Sequence, residues 1–178
     1  MSDPSDLAIV RLDAEGFARH RAALAEILVD CVAGNASIGF VWPFERADAL
    51  VYWDGLVEPV ASGAVRLFGA FQNDALVGTV QLHIAGKANQ PHRAEVAKVL
   101  VPRQHRRSGI GRALMLAAED EARRLGRWHL LLDTARGGGA ESLYENLGWI
   151  PFGTCPDYAL NPDGTFIDTV YYWKRLTL

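Results

Sequence analysis

The 178-residue sequence predicts an α/β chain, a mixed sheet of about seven strands with four helices, in one domain spanning residues 7–178. Three observations carry that reading. Glu95–Val101 is apolar enough for a strand and stops at Pro102, which cannot donate to a sheet ladder. The chain then enters the basic turn Arg106-Arg107-Ser108-Gly109-Ile110-Gly111, after which Ile110, Ala113, Leu114, Ala117, Ala118, Ala122 and Leu125 recur at helical spacing. His129–Thr134 follows as a short apolar strand, and because a helix joins it to the first, the two are predicted to lie parallel.

The remaining elements are read in chain order. Leu7–Leu12 is a first strand, and Asp13 stands where it can cap a helix whose apolar side is Phe17, Ala18, Leu24, Ile27, Leu28 and Cys31, ending near Gly34-Asn35. Asn35–Pro43 is a loop rich in aromatics. Glu45–Val60 reads as a second helix with Leu50, Trp53 and Val57 along one side, closed by Pro59 and Gly63. Val65–Gln72 and Ala75–Ile84 alternate around Asn73-Asp74, a pair suited to a tight hairpin. Gly126 suits the end of the long helix, and Ala140–Leu147 is a short helix stopped by Gly148. Ile150–Cys155 and Phe166–Arg175, joined through Pro162-Asp163-Gly164, are the last two strands.

Composition narrows the function classes. A hydrophobic share of 49% and a charged share of 22% are those of a globular chain. No apolar run is long enough to span a bilayer, and the polar, acidic start Met1–Asp6 points to a cytoplasmic protein rather than a secreted one. The net charge of −3 offers nucleic acid no general attraction. The positive charge is local instead, in Arg103, Arg106, Arg107 and Arg112, without the interleaved aromatics of a nucleic-acid groove. Cys31 and Cys155 have neither zinc-ligand nor disulfide spacing, so no metal is expected and each thiol reads as a small buried hydrophobe.

The first amides of a helix lack internal partners, and the helix dipole places partial positive charge there. Glycines at 109 and 111 would let an anion reach the backbone, and the arginines add full charges, so the loop reads as a diphosphate site. It is not the Walker loop, since Arg112 follows Gly111 where Lys-Ser or Lys-Thr is needed, nor the dinucleotide loop, since Leu114 stands at the third glycine position.

Arg106-x-x-Gly109-x-Gly111 resembles the acyl-CoA loop of the GNAT acyltransferase superfamily, whose pattern is Gln/Arg-x-x-Gly-x-Gly/Ala between a strand and a helix. Ala140-Glu141-Ser142-Leu143-Tyr144-Glu145-Asn146-Leu147-Gly148-Trp149 is similar to a second segment of that family, and Asn35–Phe40, His92–Val96 and Pro156–Tyr172 look closest to tabtoxin-resistance-type acetyltransferases. The resemblance implies a GNAT fold in which the parallel strands splay apart and the pantetheine arm of acetyl-CoA pairs with the free edge, here Val99, Leu100 and Val101. It places the diphosphate on Arg106, Arg107, Ser108, Gly109, Ile110, Gly111 and Arg112. Where many members carry an asparagine on the pantetheine arm, this chain has Gly137.

Acetyl transfer to an amine poses two proton problems, since only the neutral amine attacks and the departing thiolate leaves more readily when protonated. Tyr144 matches the family's tyrosine and is the candidate acid. Glu95 and Asp133, on the two strands flanking the gap, are candidate bases directly or through water, with His83 a further titratable group. Trp42, Asp157 and Tyr158, together with Phe40, Tyr52 and Trp53, are candidate acceptor walls. The resemblance implies a small amine acceptor and a detoxification or resistance role. A peptide amine, a non-catalytic acyl-CoA sensor and a homodimer are left open.

Overall fold

The computed structural model describes residues 7–177. In chain order the elements are β1 (Leu7–Leu12), α1 (Ala14–Ala33), α2 (Arg46–Asp54), α3 (Val57–Ser62), β2 (Val65–Gln72), β3 (Ala75–Ile84), β4 (Arg93–Leu100), α4 (Ile110–Arg124), β5 (His129–Ala135), α5 (Glu141–Asn146), β6 (Ile150–Leu160) and β7 (Phe166–Arg175). The strands form one seven-stranded sheet in the order β1-β2-β3-β4-β5-β7-β6. Every neighbouring pair is antiparallel except β4 and β5, which run parallel as expected.

Local chemistry accounts for most boundaries. Asp13 caps α1 by accepting from the Gly16 amide at 2.8 Å. Asn73 and Asp74 take φ of 50° and 60°, the left-handed pair that a two-residue hairpin between β2 and β3 requires. Two expectations are revised. The helix read over Glu45–Val60 is two helices, making five among the described residues rather than four, because the chain breaks at Gly55-Leu56. Pro59 falls in the first turn of α3, where its missing N–H would have had no partner anyway, so it starts a helix rather than ending one. The strand read over Ile150–Cys155 runs on to Leu160, with an irregularity in its pairing between Cys155 and Ala159 that accommodates Pro156.

The sheet divides two apolar layers. Ala94, Val96, Leu130, Leu132, Val170 and Tyr172 pack toward Ile110, Leu114, Met115, Ala118 and Ala122 of α4. Leu12, Val65, Leu67 and Leu100 pack toward α1, α2 and α3 on the other side. Gly78 of β3 sets how closely α4 approaches, since a Cβ there would lie 3.0 Å from Ile110 Cγ2 and 3.1 Å from Leu114 Cδ1. The first turn of α4 is thereby held directly against the sheet at the end of β4.

Two departures from regular pairing shape the middle of the sheet. β4 and β5 pair only from Arg93–His129 to Glu95–Leu131, and beyond that point they have no ladder between them. The register of β3 and β4 shifts between Thr79–Leu100 and Gln81–Ala97, a β-bulge in which Lys98 takes φ of 51°. The splay and the bulge lie side by side.

Candidate active site

The loop from β4 into α4 is built to present backbone N–H groups. Arg107 at φ 63° and Gly109 at φ 87° turn the chain so that the amides from Arg107 to Arg112 have no acceptor among the described residues. A Cβ on Gly109 would meet nothing within 4 Å, so the space in front of it is open. Arg107 and Arg112 are exposed and form no ion pair among the described residues.

The other loop residues are committed differently from the sequence reading. Arg103 is tied to Asp30 of α1, donating its Nε at 2.9 Å and its amide at 2.8 Å. Burial would raise the Asp30 pKa, but those bonds and the arginine charges hold it below the usual carboxylate value. Arg106 donates its Nε to the Val101 carbonyl at 3.3 Å, and Ser108 donates its hydroxyl to the His105 carbonyl. Gly111 serves packing, since a Cβ there would sit 3.3 Å from Leu143 Cδ2 of α5.

Beside this cradle the splay leaves one edge of β4 without a partner strand from Val96 onward. Val99 and Leu100 lie on that edge, the Leu100 side chain being buried. The two carboxylates flank the gap on the face away from α4. Glu95 lies between the inward-packing Ala94 and Val96, and Asp133 follows Leu132, which also packs toward α4. Glu95 is exposed at the gap, yet partial desolvation first, and the Asp133 charge second, raise its pKa above the ordinary carboxylate value.

Tyr144 approaches from the opposite face. Its ring packs among Tyr172 and Trp149, with centroids 5.9 and 6.4 Å away, and only 6% of the residue is exposed. The hydroxyl takes no part in the hydrogen bonds of the described residues. Burial, then the Asp133 charge, push its pKa well above that of a free tyrosine, so it remains protonated throughout the neutral range. The Asp133 charge thus reaches both Glu95 and Tyr144 across the splay.

The carboxylate face continues into a polar cluster that the sequence did not reveal as a unit. His83 Nε2 lies 2.9 Å from Gln81 Oε1, and Gln81 Nε2 donates to the Tyr52 hydroxyl at 2.9 Å. Burial, then the charge of Lys98, lower the His83 pKa, and its Nε2 is engaged with Gln81. Lys98 stands beside the Tyr52 and Phe40 rings, its Nζ 5.8 and 6.0 Å from their centroids.

The expected wall residues are arranged around a docked loop. The loop after α1 is tied to the turn between β6 and β7 by Asn35 Nδ2 donating to Asp163 at 3.0 Å and the Trp42 amide donating to the Pro162 carbonyl at 2.9 Å. Trp42 itself is 48% exposed and donates its indole N–H to the Val32 carbonyl. Tyr158 meets the ring of Tyr171 edge-on at 5.8 Å, and Tyr171 pairs with Asp133 across the sheet. Asp157, at φ 48°, donates its amide to Asp168 and shapes the β6 irregularity. Trp53 is fully buried core, and Cys31 is buried as expected while Cys155 is only partly so.

A splayed parallel strand pair, an amide-lined helix start at its mouth, and a tyrosine and two carboxylates on opposite sides of the gap together describe an acyltransferase. The chain belongs to the acetyltransferase (GNAT) family, whose model matches residues 21–149. Its fold is also that of a GCN5-related N-acetyltransferase from Kribbella flavida, with a TM-score of 0.80 at 19% identity over 98% of this chain and 100% of that one. The yncA protein of Salmonella typhimurium, solved with its cofactor acetyl-CoA, superposes with a TM-score of 0.77 at 19% identity over 97% of this chain and 95% of that one. A ribosomal-protein-alanine N-acetyltransferase from Brucella melitensis gives 0.78 at 22% identity over 95% and 99%.

Proposed function

We propose that this protein transfers the acetyl group of acetyl-CoA to the primary amine of a small molecule by direct attack. The amides from Arg107 to Arg112 carry this reading, because they suit a diphosphate and have no acceptor among the described residues. The open space before Gly109 and the free charges of Arg107 and Arg112 fit the same group. The bare edge of β4 suits the amides and carbonyls of a pantetheine arm, as an added strand would.

Acetyl-CoA supplies an activated acyl group in this account, and the chain supplies position and proton transfers. Glu95 and Asp133 hold the acceptor ammonium at the gap, and one of them, directly or through water, takes its proton so that the nitrogen lone pair can attack. The raised pKa of Glu95, from burial and the neighbouring Asp133 charge, favours it as a proton acceptor. Attack forms the C–N bond, cleavage of the C–S bond follows, Tyr144 gives its proton to the departing sulfur from the other side of the sheet, and the second proton that the nitrogen sheds on becoming an amide returns to Tyr144 through water. The amide product and free coenzyme A complete the balance.

A detoxifying or resistance role for such a reaction rests on the likeness to tabtoxin-resistance-type enzymes. The experiment is free-thiol release from acetyl-CoA across a panel of amines. Amine-dependent release supports transfer, whereas binding without turnover, or release that ignores the amine, would make the protein a sensor or a thioesterase.

A further inference from the structure

Lys98 has no place in the reaction just described, yet it lies on the acceptor face. We infer that it selects the acceptor by charge: a primary amine that also carries a carboxylate, which Lys98 takes while the amine lies at Glu95 and Asp133. The inference rests on the acetyl-transfer reading and names its substrate class.

The bulge makes this position. In a regular strand, residue 98 would follow Ala94 and Val96 toward α4. The extra residue in β4 turns Lys98 instead to the side of Phe40 and Tyr52, where Glu95, Gln81 and His83 also stand. A non-glycine residue at φ 51° in a strand is a strained choice, and Lys is not among the residues that tolerate it best. The strain coincides with a functional face.

The ammonium is poorly served by the protein. Lys98 is partly buried, and among the described residues it forms neither an ion pair nor a hydrogen bond. Aromatic rings 5.8 and 6.0 Å away are its nearest compensation. Burial lowers its pKa, and the charges of Asp133 and Glu95 partly restore it, so the carboxylates are felt without being in contact. A half-desolvated cation without a counter-ion is costly, and an anion delivered by a ligand would relieve that cost.

The face therefore has two poles. Glu95 and Asp133 form the negative one at the gap, and Lys98, beside Phe40 and Tyr52, forms the positive one. An amine with a carboxylate satisfies both. A diamine would set its second ammonium against Lys98, and a simple alkylamine would leave Lys98 unpaired.

The test compares matched acceptors in the thiol-release assay: L-α-amino acids against their carboxamides, and ω-amino acids from glycine to 6-aminohexanoate against n-alkylamines and α,ω-diamines of equal length. The wild-type protein is expected to prefer the best acid over its uncharged partner by at least about tenfold in kcat/KM, the difference lying in KM. Lys98→Met should collapse that ratio to within about twofold, Lys98→Arg should keep most of it, and Lys98→Glu should turn preference toward the diamine. Thermal denaturation confirms that each variant folds. Preference for uncharged or dicationic acceptors in the wild type, or an equal loss with every acceptor in Lys98→Met, overturns the inference while leaving acetyl transfer intact. If no amine releases thiol although acetyl-CoA binds, transfer and this inference fall together.

Discussion

Gly109 and Gly111 look alike in the sequence and do different work in the structure, and a pair of alanine variants separates the two roles. Gly109 sits at φ 87° with open space before it, so an added Cβ clashes with nothing and the fold bears only left-handed strain, about 1–2 kcal/mol. That Cβ would project into the space assigned to the diphosphate. Losing one charge-assisted bond from the backbone would cost about 1.5–3 kcal/mol, roughly 10- to 150-fold in Kd for coenzyme A. Gly111 has helical backbone and a neighbour 3.3 Å from the added Cβ, Leu143 Cδ2, at the end of a side chain that can yield. Alanine there gains up to about 1 kcal/mol of helix propensity against that crowding, and coenzyme A affinity should move less than about threefold. Calorimetric titration with coenzyme A and urea denaturation of both variants supply the numbers. Gly109→Ala binding coenzyme A as tightly as the wild type would refute the assignment of that space.

Tyr144→Phe should retain stability within about 1 kcal/mol, because the ring packing stays and the hydroxyl has no hydrogen-bond partner among the described residues, while turnover at saturating acetyl-CoA falls by about 100-fold. Its raised pKa also means that Tyr144 contributes no alkaline limb to kcat below about pH 10, and a loss of rate beginning near pH 8 would count against it. Glu95 works as a base only when ionised, so kcat/KM should fall as pH drops through a value above the ordinary carboxylate range; Glu95→Gln should remove that limb, and if Asp133→Asn removes it instead the two roles exchange. Glu119 is 1% exposed and accepts from Trp149 Nε1 at 2.9 Å and Lys174 Nζ at 2.7 Å, so Glu119→Gln should cost about 3 kcal/mol in denaturant unfolding by stranding the Lys174 charge.

Features written in consecutive residues were legible in the sequence. The Asn73-Asp74 hairpin, the Asp13 cap, the long helix after the glycines and the parallel relation of β4 and β5 all follow from local turn chemistry or helical period. The break at Gly55-Leu56 was masked because the apolar stripe continues through it, and Pro59 reads equally as a stop or a start until the break is known. What sequence could not supply was long-range. Arg103 is withdrawn from the loop by Asp30, a residue on α1, and the size limit at Gly111 comes from Leu143 on α5. The bulge at Lys98 depends on the register with β3 and carries no glycine or asparagine to mark it, so Lys98 passed as one more strand residue.

The central claim is that the amides opening α4 grip the diphosphate of acetyl-CoA. Amide chemical shifts in a titration of the isotopically labelled protein address it most directly. Coenzyme A should displace the signals of Arg107 to Arg112 as a group, whereas pantetheine, lacking the diphosphate, should leave them in place and shift only residues along β4. Signals from Arg107 to Arg112 that stay unmoved by saturating coenzyme A would contradict the account.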